Sequence, residues 1–145
     1  VCSSDLVMCY KHRNKPNEIG EMRLIGDVKD KHVILLDDII DTGSTICKAA
    51  GIIKDSGAKS VRAMITHPVL SGNAIEKIEA SALEELVVSD TIPLKRQSDK
   101  IHVLPTDWLL AEAIRCIVNY SSIDNLYENT IHRKGIPHRV GWVEK

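Results

Sequence analysis

The sequence predicts an α/β fold in which a mostly parallel sheet is flanked by helices. From residue 29 onward, short aliphatic and β-branched runs alternate with helical patterns, and polar, turn-forming residues follow several of the runs. The resulting order, β-α-β-α-β-β-α with helical crossovers, implies parallel strands covered on both faces.

The first clear strand is Val33-Ile34-Leu35-Leu36, a compact apolar run met at once by acids, which is the pattern of a buried strand. After Thr42-Gly43-Ser44, Ile46, Ala49, Ala50 and Ile53 recur at i, i+3, i+4 and i+7 before Gly57. That spacing predicts a helix with a small-residue face and a glycine stop. Val61 to Ile65 is the next strand, and Ala74, Ile75 and Ile78 mark a short helix after Ser71-Gly72. Leu86-Val87-Val88 and Ile101-His102-Val103-Leu104 are two further strands. A last helix follows Pro105-Thr106, capped by Thr106 or Asp107, with Leu110, Ile114 and Ile117 as its core face. Upstream, Leu6 to Tyr10 is one candidate strand, and the polar stretch from Lys11 to Glu18 is an exposed loop. Residues 128–145 show no period and are peripheral.

Composition excludes several functions. The 145 residues carry 19 Lys+Arg against 20 Asp+Glu, a formal net charge of -1, which rules out a blanket electrostatic grip on nucleic acid. Aromatics at 3% leave little for base stacking. Cys2, Cys9, Cys47 and Cys116 are too far apart for a CxxC pair, so neither disulfides nor zinc are expected, and a reducing cytoplasm is the default. The six His residues lack ligand spacing, so no protein metal site is expected; His67 before Pro68 is a hydrogen-bonded structural residue. No signal peptide or membrane span is visible. The length fits one domain able to bury a core, or a piece of something larger.

Ligands of open parallel sheets bind beyond the carboxyl ends of the strands. The densest signal there is Asp37-Asp38-Ile39-Ile40-Asp41-Thr42-Gly43-Ser44-Thr45. Small Gly43 and Ser44 let backbone N–H groups point inward, and the following helix brings its positive end to the same spot, which makes a phosphate cradle. No Lys follows the glycine, so it is not a Walker loop. Asp37 and Asp38 suit vicinal hydroxyls, so a sugar phosphate would lay its ribose hydroxyls on the acids and its phosphate on the glycine turn. The plainer alternative is a solvated acidic strand end capping the helix through Asp41 or Thr42. Three acids within five positions make that the weaker reading.

This stretch resembles the hallmark of the type I phosphoribosyltransferase fold, and within it the catalytic portion of the ribose-phosphate pyrophosphokinase family. Ordinary phosphoribosyltransferases usually carry Thr where this chain has Asp41. They also lack the blocks Thr66-His67-Pro68-Val69-Leu70-Ser71-Gly72-Asn73-Ala74, Ser81-Ala82-Leu83-Glu84-Glu85 through Pro93, and Leu109-Leu110-Ala111-Glu112-Ala113-Ile114-Arg115. Asn17-Glu18-Ile19-Gly20 and Ile25-Gly26-Asp27-Val28 match as well. The resemblance covers 7–127 and leaves 1–6 and 128–145 unmatched.

The resemblance implies transfer of the pyrophosphoryl group of ATP to the anomeric hydroxyl of ribose 5-phosphate, with magnesium, giving phosphoribosyl pyrophosphate and AMP. Asp37 and Asp38 would hold the ribose hydroxyls; Asp41, Thr42, Gly43, Ser44 and Thr45 would form the 5-phosphate loop. Lys11 and Arg13 match the Lys-x-Arg of the family's catalytic loop, which closes over ATP; on composition alone they belong to a solvated basic loop. It further implies a cytoplasmic enzyme, homo-oligomeric at full length, with neither nucleic acid nor membrane as partner. Two other functions fit the same loop: a phosphoribosyltransferase that consumes phosphoribosyl pyrophosphate, and a non-catalytic synthetase-associated regulatory subunit. Asp41 and the downstream blocks favour the kinase over the transferase, and the compact 11–18 stretch favours it over the subunit. Family enzymes carry an amino-terminal half that contributes ATP-base contacts and a magnesium-binding His, so the isolated chain is expected not to turn over and its sheet to be incomplete. The family's effector-phosphate turn reads Ser122-Ile123-Asp124-Asn125-Leu126-Tyr127 here, and Asp124 places a negative charge where that phosphate would sit.

Overall fold

The computed structural model describes residues 6–11, 22–124 and 126. A four-stranded sheet has the order β3-β4-β5-β6, with β3 His32–Ile40, β4 Ser60–Pro68, β5 Glu85–Ser89 and β6 Ile101–Leu104. A separate antiparallel pair precedes it, β1 Met8–Lys11 with β2 Met22–Ile25. β3 and β4 run parallel with Val33 opposite Val61 and Asp37 opposite Ile65, and β4 and β5 run parallel with Ala63 opposite Leu86. The helical crossovers are α1 Ser44–Asp55 and α2 Ala74–Ala80. This is the α/β, mostly parallel arrangement that the alternating pattern predicts.

The α1 face follows from its period: Ile46, Ala49, Ala50 and Ile53 are the buried residues of the helix. Its end is a Schellman motif, in which Ala58 N–H donates to Ile53 O and Gly57 N–H to Lys54 O. Gly57 takes φ +94, a left-handed conformation that favours glycine. Ile53, Val61, Ile78, Leu83, Leu86 and Val88 are among the largest fully buried side chains of the core.

Three expectations are corrected. β3 is longer than its apolar run and carries Asp37 and Asp38 inside the strand, because the ladder to β4 runs on through Asp37, Ile39 and Ile40. It is also not a buried strand: it pairs only with β4 among the described residues, and Ile34 and Leu36 stand 52% and 77% exposed. The third concerns α3, Asp107–Val118, in the carboxy-terminal unit 104–145. Leu110, Ile114 and Ile117 are exposed rather than core, and the only buried residue of the helix is Cys116. The described residues of that unit place no strand against the stripe. β2, which the polar composition around it hides, alternates half-buried Met22 and Leu24 with exposed Arg23 and Ile25.

Candidate functional site

The candidate site lies where β3 turns into α1. Asp37 and Asp38 are exposed near the end of the strand, and Ile40 anchors the turn by burial. The Asp37 carboxylate accepts the backbone N–H of Asp38 at 3.0 Å. The Asp38 carboxylate has no hydrogen-bond or ion-pair partner among the described residues, so it is the freer of the two acceptors.

Gly43 is the N-cap of α1, buried, with φ 71 and ψ -10. A Cβ there would stand 3.5 Å from Ala74 O and 3.7 Å from Ile78 Cγ1, ordinary van der Waals contact, so the left-handed backbone and not space is what calls for glycine. The first intrahelical bond is Cys47 N–H to Gly43 O at 3.0 Å. Helix geometry leaves the N–H groups of Ser44, Thr45 and Ile46 without an intrahelical acceptor; no side chain caps them and the first turn holds no acid. These donors sit at the positive end of the helix, the arrangement that receives anions.

Three residues that sequence reasoning did not place at the site, Ser71, Leu70 and Lys77, fix this loop. The Ser71 hydroxyl donates to the Asp41 carboxylate, and Ser71 N–H donates to Asp41 O at 3.1 Å. Leu70 N–H donates to Ile40 O at 3.1 Å, and Leu70 holds φ 46 while almost fully buried. A bulky residue in that region is strained by roughly 1–2 kcal/mol; burial of its side chain holds the bend that delivers Ser71 to the loop. Lys77, half-buried on α2, reaches Thr42 O at 3.3 Å and Ser44 Oγ at 2.9 Å. The sequence signal for all three was topological: β4 neighbours β3 in parallel, so the β4–α2 connection emerges beside the β3–α1 turn.

The structure therefore brings Asp37, Asp38, Asp41, Thr42, Gly43, Ser44 and Thr45 onto one continuous strand end, turn and helix start. Lys11 closes β1, its backbone opposite Met22; its side chain and the whole of Arg13 lie outside the described residues. His67 is a hydrogen-bonded residue, with Nδ1 3.0 Å from Thr91 Oγ1, whose hydroxyl also meets Thr66 O at 3.1 Å. Asp124 accepts the Ser122 hydroxyl at 2.9 Å.

A family model described as the phosphoribosyl synthetase-associated domain matches residues 3–128. Similar curated proteins include the ribose-phosphate pyrophosphokinase of Campylobacter jejuni, 54% identical over 123 residues that cover 85% of this chain and 40% of the relative. That of Helicobacter pylori is 50% identical over 123 residues, 85% of this chain and 39% of the relative. Among solved structures, phosphoribosylpyrophosphate synthetase from Mycobacterium smegmatis is similar at a TM-score of 0.67 and 37% identity, over 70% of this chain and 35% of that one. The chain spans about two fifths of the length of the curated relatives it matches.

Proposed function

The chain belongs to the phosphoribosyl synthetase-associated domain family, and on that premise we propose that its β3–α1 segment is the ribose 5-phosphate seat of a ribose-phosphate pyrophosphokinase. One observation supports this above the rest: an exposed acidic pair runs directly into an uncapped helix start behind a left-handed glycine. Acceptors for hydroxyls and donors for an anion thus stand in the order that a pentose phosphate presents them.

In this reading Asp38 and Asp37 accept the ribose hydroxyls, and the N–H groups of Ser44 and Thr45, with the hydroxyls of Thr42, Ser44 and Thr45, hold the 5-phosphate. Asp41, tied to Ser71, keeps the turn in shape. Fixing both ends of the sugar orients its anomeric hydroxyl toward ATP. The anomeric oxygen bonds to the β-phosphorus, the bond from that phosphorus to the bridging oxygen breaks, AMP leaves with that oxygen, and the hydroxyl proton is released. Lys11 and Arg13 offset the charge that builds on the phosphoryl oxygens.

No group of three or more His, Cys, Asp or Glu converges among the described residues. Magnesium is commonly held by one or two carboxylates together with substrate phosphates, and no step here is routed through it. We read the whole enzyme as a cytoplasmic homo-oligomer. No described helix is long and apolar enough to cross a membrane.

The isolated chain, without the remaining three fifths of its relatives' length, is proposed to bind the sugar phosphate without turning it over. Calorimetry with ribose 5-phosphate tests the seat. Saturable binding, weakened at least tenfold in Asp38→Ala, is expected; equal binding by both forms removes the ribose assignment.

A further inference from the structure

The loop between β3 and α1 contains no basic residue, yet the structure supplies one from another element. Resting on the seat proposed above, we propose that Lys77 of α2 is the counter-charge of the 5-phosphate and the residue that sets the Ser44 hydroxyl as a donor toward it.

Three features of Lys77 carry this. It is half-buried and makes no ion pair among the described residues, so its charge is not neutralised by a carboxylate; the loop acid Asp41 is engaged by Ser71. Its ammonium donates to Thr42 O at 3.3 Å, which offsets the partial negative charge of that carbonyl. It also donates to Ser44 Oγ at 2.9 Å, while Thr42 Oγ1 approaches the same oxygen at 3.5 Å. A hydroxyl has two acceptor lone pairs and one O–H. With the ammonium on one lone pair, Ser44 is set to turn its O–H toward an anion, and Thr42, 3.5 Å away, keeps its own hydroxyl for the same phosphate. An ammonium has three donors, so Lys77 keeps one beyond the two bonds it makes to the loop.

The alternative is a brace that shapes the loop and takes no part in anion binding. Charge and hydrogen bonding are separable by substitution: Lys77→Gln keeps an amide donor for Thr42 O without the charge, Lys77→Met keeps neither, and Lys77→Arg keeps both. Each variant and the parent chain are titrated with ribose 5-phosphate and, separately, with inorganic phosphate, following the backbone amides of Gly43, Ser44 and Thr45 by NMR. The expected result is about tenfold weaker binding of both ligands by the Gln and Met variants, with Arg within about threefold of the parent, since hydrogen bonds to charged groups are the stronger class. The parent's affinity should also fall more steeply with added salt than that of the Gln variant.

Asp38→Ala separates this proposal from the seat on which it rests. It should lose ribose 5-phosphate and keep inorganic phosphate. Parent-like phosphate binding by both Lys77→Gln and Lys77→Met overturns the Lys77 role and leaves the seat standing. Rescue by Gln to the level of Arg assigns Lys77 to bracing and overturns it equally. If Lys77→Met does not fold, the Gln and Arg pair decides alone.

Discussion

Ser71 holds Asp41 twice, its hydroxyl donating to the carboxylate and its backbone N–H to the carbonyl at 3.1 Å. The two residues are thirty positions apart in sequence, and the bonds exist because parallel pairing of β3 with β4 puts their following turns side by side. The loop is thereby shaped by α2's lead-in as much as by its own residues.

Ser71→Ala removes the side-chain bond and keeps the backbone one. Loss of an exposed hydrogen bond of this kind costs about 0.5–1.5 kcal/mol. Urea unfolding should show a drop in that range with an unchanged denaturant slope. A ribose 5-phosphate titration should show weaker binding as Asp41 is released.

Gly43→Ala forces a Cβ onto a residue at φ 71. The nearest heavy atoms allow the methyl, so the penalty is the left-handed backbone, roughly 1–2 kcal/mol. Gly43→Asn, which tolerates that region better, should be the milder of the two by thermal melting. Equal melting of the parent and both variants would show that the turn is not held left-handed.

Much of this arrangement was legible in the sequence because it is periodic or local. The 3.6 spacing of Ile46, Ala49, Ala50 and Ile53 identified both the helix and its buried face, and Gly57 marked its end. The strand-end acids and the glycine turn are contiguous, so their neighbourhood needed no fold. What escaped was set by tertiary placement. Lys77 and Ser71 gain their roles only from strand order, and the exposure of Leu36 and Ile114 depends on which elements stand opposite them. Periodicity reports that a face is apolar, not that something covers it.

Cys47, one turn into α1, is a free thiol that burial pushes above its ordinary range, against smaller opposing effects from the Ser81 hydroxyl and the charges of Lys77 and Lys100. A raised thiol binds its proton more tightly in the folded chain than in the unfolded one. Its contribution to stability is therefore full below the ordinary thiol range and is lost as pH rises through the folded value. Stability of the parent relative to Cys47→Ala should fall from neutral pH into the alkaline range. Alkylation by iodoacetamide at mildly alkaline pH should be slower than for a peptide thiol. Faster alkylation would reverse the assignment.

A crystal structure of the chain with ribose 5-phosphate measures directly the direction in which a pentose phosphate lies along the β3–α1 segment. The phosphate is predicted on the Ser44 and Thr45 N–H groups with Lys77 Nζ within hydrogen-bond distance, and the ribose hydroxyls on Asp37 and Asp38. A sugar phosphate bound elsewhere on the chain, or lying with its phosphate away from Gly43, would contradict it.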